Sequence, residues 1–168
     1  MKLDQICNKQ DEFYTPEYAV KPILKYAKGR VWCPFDTEES HFVKMLRANG
    51  NRVVCTHISN GEDFFKMDVE ADCIISNPPY SLKGEVFERL FRLGKPFAML
   101  VGVVGLFESE KRFSMFKINE FEIMYLNRRV AYFKDYAEQK PSLNPPFSSV
   151  YLCSKMLPKQ VVFERIEK

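Results

Sequence analysis

Two hydrophobic rhythms alternate along the chain, one at helical spacing and one in short continuous runs, and together they predict a sheet covered by helices on both faces. Tyr14-Thr15-Pro16-Glu17 reads as a helix start, with Thr15 as N-cap and Pro16 at the first helical position. That helix is expected to reach about Lys28 and to stop at Gly29. Arg30-Val31-Trp32-Cys33 follows as a first strand, ended by Pro34. Over residues 38–49, Phe42, Val43 and Leu46 recur at helical spacing until Gly50 terminates the run. Residues 52–56 give a second strand, and Asp72-Cys73-Ile74-Ile75-Ser76 a short buried third. An amphipathic helix is expected from Gly84 to about Leu93. Phe97-Ala98-Met99-Leu100-Val101, the most apolar stretch, reads as a central strand. Residues 109–118 read as a helix, and residues 122–126 and 149–154 as two further strands. Residues 127–148 show no regular rhythm, and a connection of that length is usually functional or mobile. The alternation predicts an α/β fold with a doubly wound, mostly parallel sheet, and the last two strands an antiparallel pair at one edge.

At 168 residues the chain has room for a single three-layer domain, read here as residues 1–168. Apolar residues make up 46 % and charged residues 28 %, which argues for a packed core and against disorder. The five cysteines are odd in number, and three of them (Cys33, Cys55, Cys73) fall inside strand candidates as small hydrophobes. With no Cys-x-x-Cys pair, neither a disulfide framework nor a metal site is expected, and a reducing cytoplasm is the natural compartment. Residues 1–12 are polar and no run approaches the length of a membrane span, so no membrane partner is expected. A net charge of +3 permits a nucleic-acid partner without requiring one.

The chemistry concentrates in Asn77-Pro78-Pro79-Tyr80, placed where the third strand should run out. Such a Pro-Pro string flanked by a small polar residue and an aromatic should arise by chance in roughly one chain in a hundred of this length. Open α/β sheets bind ligands at the carboxyl ends of their strands. Asn77 offers a side-chain carbonyl, Pro78 a backbone carbonyl and Tyr80 a flat face. Together they can accept two hydrogen bonds from an exocyclic amino group and stack on the ring that carries it. A second copy, Asn144-Pro145-Pro146-Phe147, follows a polar stretch and precedes a strand, so the chemistry is assigned to the first copy alone.

With these residues the chain resembles the S-adenosylmethionine-dependent amino-methyltransferases, especially the N6-adenine DNA methyltransferases of prophage or restriction-modification type. The resemblance covers most of the chain and implies a Rossmann-like methyltransferase fold without a separate target-recognition domain. Asn77-Pro78-Pro79-Tyr80 matches that family's catalytic loop residue for residue. Tyr14-Thr15-Pro16 resembles the motif used on the methionine end of the cofactor. Cys33-Pro34-Phe35-Asp36 stands where the family has its first-strand cofactor loop. Gly61-Glu62-Asp63-Phe64-Phe65 resembles the motif whose acidic residue bonds the cofactor's adenine amino group. The implied cofactor residues are therefore Tyr14, Thr15, Pro16, Pro34, Phe35, Asp36, His57, Ile58, Asp63, Phe64 and Asn77. Two departures stand out. The first-strand loop reads on through Thr37-Glu38-Glu39-Ser40 without a glycine, which hinders backbone approach to a carboxylate. Thr56-His57-Ile58 replaces the acid that takes the ribose hydroxyls.

What the resemblance implies is methyl transfer from S-adenosylmethionine to N6 of adenine in DNA. RNA or a protein glutamine is an alternative substrate, and a methyltransferase-like binding subunit, inactive alone, an alternative role. Tyr80 and Phe147 are the expected base contacts. Lys83, Lys111, Arg112, Arg128 and Arg129 are the expected phosphate contacts. A homodimer or a partner subunit would add binding surface.

Overall fold

A computed structural model describes residues 14–140 and 147–168. Seven strands form one sheet: β1 (Arg30–Cys33), β2 (Arg52–Cys55), β3 (Cys73–Ser76), β4 (Phe97–Gly102), β5 (Glu122–Leu126), β6 (Ser149–Ser154) and β7 (Val161–Glu164). Their order across the sheet is β2-β1-β3-β4-β6-β5-β7. Parallel pairing joins β2, β1, β3 and β4. β6 is antiparallel to both neighbours, β4 and β5, and β7 pairs parallel to β5. The fold is thus α/β with a mostly parallel sheet, as the rhythm of the sequence indicates. The expected antiparallel pair, β5 with β6, is present, but β6 inserts between β4 and β5, and the unanticipated β7 takes the edge.

Helices α1 (Glu17–Leu24) and α2 (His41–Ala48) cover one face, and α3 (Lys83–Leu93) and α4 (Glu110–Ile118) the other. The strict alternation of β4 shows why. Ala98 and Leu100 pack with Val20, Ile23, Phe42 and Leu46, whereas Phe97, Met99 and Val101 pack with Val86, Phe87 and Leu90. A strand buried on both faces has no polar alternate. In α3, Val86, Phe87 and Leu90 are fully buried, each contributing about 1.5–3 kcal/mol. The exposed Arg92–Glu88 pair one turn apart adds only a few tenths of that. Packing, not ion pairing, fixes this helix.

Two helix boundaries differ from expectation for local reasons. Thr15 is not a cap: Pro16 takes the N-cap position without a side-chain bond, and the helix ends at Leu24. Pro22 lies inside it and removes one backbone donor, and i→i+3 bonds from Tyr26 and Ala27 close the last turn. α2 starts only at His41, because Ser40 is the cap and accepts from the Phe42 amide (3.1 Å). Past β6 the chain crosses the end of β5 to reach β7. There the Glu122 carboxylate accepts from the amides of Lys155, Met156 and Leu157 at 2.8–2.9 Å.

Candidate active site

The chain runs from β1 out to β2 on one side, then returns to place β3 on the other side of β1. The boundary between β1 and β3 is therefore the topological switch point, where open α/β sheets bind ligands. Both sequence motifs emerge there: residues 34–40 leave β1, and Asn77-Pro78-Pro79-Tyr80 leaves β3 into a short 3-10 turn and then α3. Pro78 is buried, while Asn77 and Tyr80 are half-buried.

Asn77 Nδ2 donates to Thr15 Oγ1 at 3.2 Å, so the amide oxygen is the acceptor this side chain offers. The residues expected at the two ends of the reaction are thereby in direct contact. Thr15 is itself buried, and His41 Nδ1 donates to its carbonyl oxygen (3.0 Å). Asp36 turns inward. Its two carboxylate oxygens accept from Ser40 Oγ and Ser76 Oγ, each at 2.5 Å, which ties the β1 loop, the start of α2 and the end of β3 together. Burial pushes the Asp36 carboxyl above its ordinary range, and the two serine donors only partly oppose this.

Glu38, whose charge would repel a carboxylate in the loop, turns back to pair with Arg47 on the outside of α2. Phe35 packs against Phe64 (ring centroids 5.0 Å), and Phe64 is fully buried against Trp32. Phe64 thus supports the crevice wall rather than facing it. Asp63, also buried, caps its own turn by accepting from the Phe65 amide (2.9 Å). His57 Nδ1 accepts from the Ser59 amide (3.1 Å), and Ile58 packs at the edge of the same apolar cluster.

On the other side of the loop, Tyr80 and Phe147 face each other at 5.0 Å with a 31° tilt. Gly102 makes this possible: a Cβ there would lie 2.9 Å from the Phe147 ring. The pocket formed by Asn77, Pro78, Tyr80, Lys83, Gly102, Phe147 and their neighbours holds about 20 Å³. That is space for one water; an apolar cavity of about 150 Å³ is needed to take up benzene. A planar group that stacks on Tyr80 where Phe147 packs would have to displace Phe147.

No protein-family model matches the chain, and no curated protein matches it. Five chains of solved structures do. The chain is similar to a modification subunit ascribed to a type I restriction enzyme from Vibrio vulnificus YJ016, with a TM-score of 0.58 at 13 % sequence identity. The likeness takes in 98 % of this chain and 49 % of that one, so the chain spans about half the length of that subunit. What the two share is the fold.

Of the expected phosphate contacts, Arg128 and Arg129 are exposed beyond β5, and Lys111 pairs with Glu88 (2.8 Å). Arg112 lies over Gly84 in the first turn of α3, and its Nε has no hydrogen-bond partner. Lys83 is only 6 % exposed and faces backbone carbonyls. Two polar residues of the site were not foreseen: Ser76 and Tyr136. Tyr136 stacks on Tyr14 (4.2 Å, 28°), and burial raises the pKa of its hydroxyl against the opposing effect of Ser40. The second Pro-Pro copy, residues 144–146, lies outside the described residues, as do residues 1–12. Among the described residues no helix is long and apolar enough to cross a membrane, and no group of three or more His, Cys, Asp or Glu is placed to hold a metal ion.

Proposed function

We propose that the chain is an S-adenosylmethionine-dependent methyltransferase that acts on the N6 amino group of adenine in DNA. The observation that carries this reading is the exit of Asn77-Pro78-Pro79-Tyr80 from β3 at the switch point, beside the β1 loop and in contact with Thr15.

The amino nitrogen of adenine is a poor nucleophile because its lone pair is delocalised into the ring. Hydrogen bonds from its two N–H groups to the Asn77 side-chain oxygen and the Pro78 carbonyl draw it toward tetrahedral geometry. That localises the lone pair and orients it for in-line attack. Tyr80 stacks on the base, which must leave a duplex to reach this loop. The residues near the switch point suit the cofactor's nucleoside half: Asp63 for an amino group, with Phe35 and Ile58 as an apolar wall, and Tyr14, Pro16, Pro34 and His57 as further candidate contacts. For the amino-acid half they offer Thr15, and Glu38 turns away to pair with Arg47. When bound, the cofactor supplies an electrophilic methyl group on sulfur.

A second reading has its own support. The water-sized pocket at Tyr80, in a fold shared with a modification subunit, fits a binding subunit that is inactive without a partner. Calorimetry with S-adenosylmethionine, followed by labelled-methyl transfer onto DNA, RNA and protein, separates the two. Transfer onto adenine in DNA supports the first reading; no cofactor binding by the isolated chain supports the second. Transfer onto RNA or protein alone moves the substrate without moving the site.

A further inference from the structure

Lys83 opens α3 three residues after Tyr80, in a setting that is costly for a lysine. It is 6 % exposed, no carboxylate lies within ion-pair distance among the described residues, and it sits at a helix N-terminus, where the macrodipole disfavours a cation. Burial lowers the pKa of its ammonium, and the neighbouring Arg112 charge lowers it further. A phosphate contact would need this group in solvent. Instead Nζ donates to the carbonyls of Val104 (3.1 Å) and Gly102 (3.4 Å), and lies 4.5 Å from the centroid of the Tyr80 ring. Gly102 ends β4, and Val104 lies in the connection to α4. One side chain therefore joins the catalytic loop to the end of the central strand, and it lines the same pocket as Asn77, Pro78 and Tyr80.

Building on the reading above, we infer that Lys83 is a positioning residue: it braces the Tyr80 ring against the end of β4 and so fixes the surface on which the target base stacks. An ammonium has three donors. Two are used on the carbonyls, and the remaining charge is attracted to the ring face, an interaction that strengthens when water is excluded. A methionine would fill the same space with neither tie, and Tyr80 would be free to tilt. The opposing Phe147 contact cannot replace the brace, because a base that stacks there must displace it.

The test compares Lys83→Met with the wild type. Expected are a melting midpoint within a few degrees, unchanged S-adenosylmethionine affinity and a KM for DNA within about threefold. The kcat should fall roughly ten- to thirtyfold, the size of a desolvated cation–π contact. Independently of activity, the Cε protons of Lys83 should show an upfield ring-current shift by NMR that disappears in Tyr80→Leu. An unchanged kcat in Lys83→Met overturns the proposal, as does a loss confined to KM, which would return Lys83 to the phosphate contacts. So does the absence of the ring-current shift. A wild-type chain that transfers no methyl group sinks the functional reading and with it the stacking role. The resonance shift alone then still tells whether Lys83 braces Tyr80.

Discussion

Replacing Asn77 with alanine removes two things that can be weighed separately. The first is the bond from Nδ2 to Thr15 Oγ1 at 3.2 Å. A neutral hydrogen bond nets about 0.5–1.5 kcal/mol, which in a chain of this size lowers the melting midpoint by roughly 1–6 °C. The second is an acceptor for the target amino group. Losing one preorganised hydrogen-bonding group at a reacting centre costs about 10²–10³ in kcat. The chemical loss therefore exceeds the structural one by a wide margin. Asn77→Ala should stay folded, bind S-adenosylmethionine within a few-fold of wild type, and lose at least a hundredfold in kcat. Asn77→Asp keeps an acceptor, can still take a hydrogen bond from Thr15, and should retain more activity than the alanine variant. The assay is single-turnover transfer of labelled methyl to unmethylated DNA, with cofactor affinity measured by calorimetry. If Asn77→Ala transfers within tenfold of wild type, the mechanism is wrong. If activity and cofactor affinity fall in equal proportion, Asn77 holds the cofactor and does not orient the substrate.

Base–aromatic stacking is worth about 1–3 kcal/mol, so Tyr80→Ala should lower kcat/KM for DNA roughly ten- to a hundredfold. Tyr80→Phe should be mild, since the hydroxyl has no hydrogen bond among the described residues; equal damage from both would exclude stacking as the role. Asp36 has a raised pKa from burial, so its contribution to stability is complete below the ordinary carboxylate value and is lost as pH rises through the raised folded value. Asp36→Asn keeps an acceptor without the charge, so its melting midpoint should decline less than that of wild type as pH rises from 4 to 7, and parallel curves would remove this account. Charge reversal at the exposed Arg128 and Arg129 should weaken DNA binding and flatten its salt dependence with no change in cofactor affinity; an unaltered salt slope places the DNA elsewhere.

The six strands up to Ser154 could be read in the sequence because each is an apolar run closed by a polar or Pro/Gly signal. β7 could not: Val161–Glu164 is four residues long, and only Val162 is buried. The place of β6 was equally hidden. Its six pairs with β4, from Phe97↔Ser154 to Gly102↔Ser149, join segments some fifty residues apart, and no local rhythm encodes them. At the site, Asn77 to Tyr80 was legible because a rare string followed a buried strand. The bracket on Asp36 was not, since Ser76 lies forty residues away and only the β1–β3 adjacency brings them together. Lys83 shows the limit most clearly. A lysine after a catalytic loop reads as a phosphate contact, and only the fold reveals that the ammonium is buried against carbonyls.

The described part of the connection after β5 is tied to the rest of the fold. Tyr14 and Phe133 exchange both backbone hydrogen bonds (2.8 and 3.1 Å), the Ala131 amide donates to the Tyr18 hydroxyl (2.8 Å), and the Tyr132 and Ser149 hydroxyls bond at 2.7 Å. Residues 130–136 are thereby strapped to the segment that carries Thr15, and Thr15 touches Asn77. In the proposed enzyme, the side that holds the methyl donor and the loop that holds the acceptor touch at this residue, beside the Asp36 bracket. A single neutral hydrogen bond of at most about 1.5 kcal/mol sets the ceiling for direct coupling through it, roughly tenfold in affinity. Such a link is too weak to switch the site on or off. Its effect is on order: with Thr15 held by the strap and Asn77 held by Thr15, the acceptor geometry is in place before either ligand arrives, and the movement left for a base that stacks where Phe147 packs is the displacement of Phe147 from Tyr80.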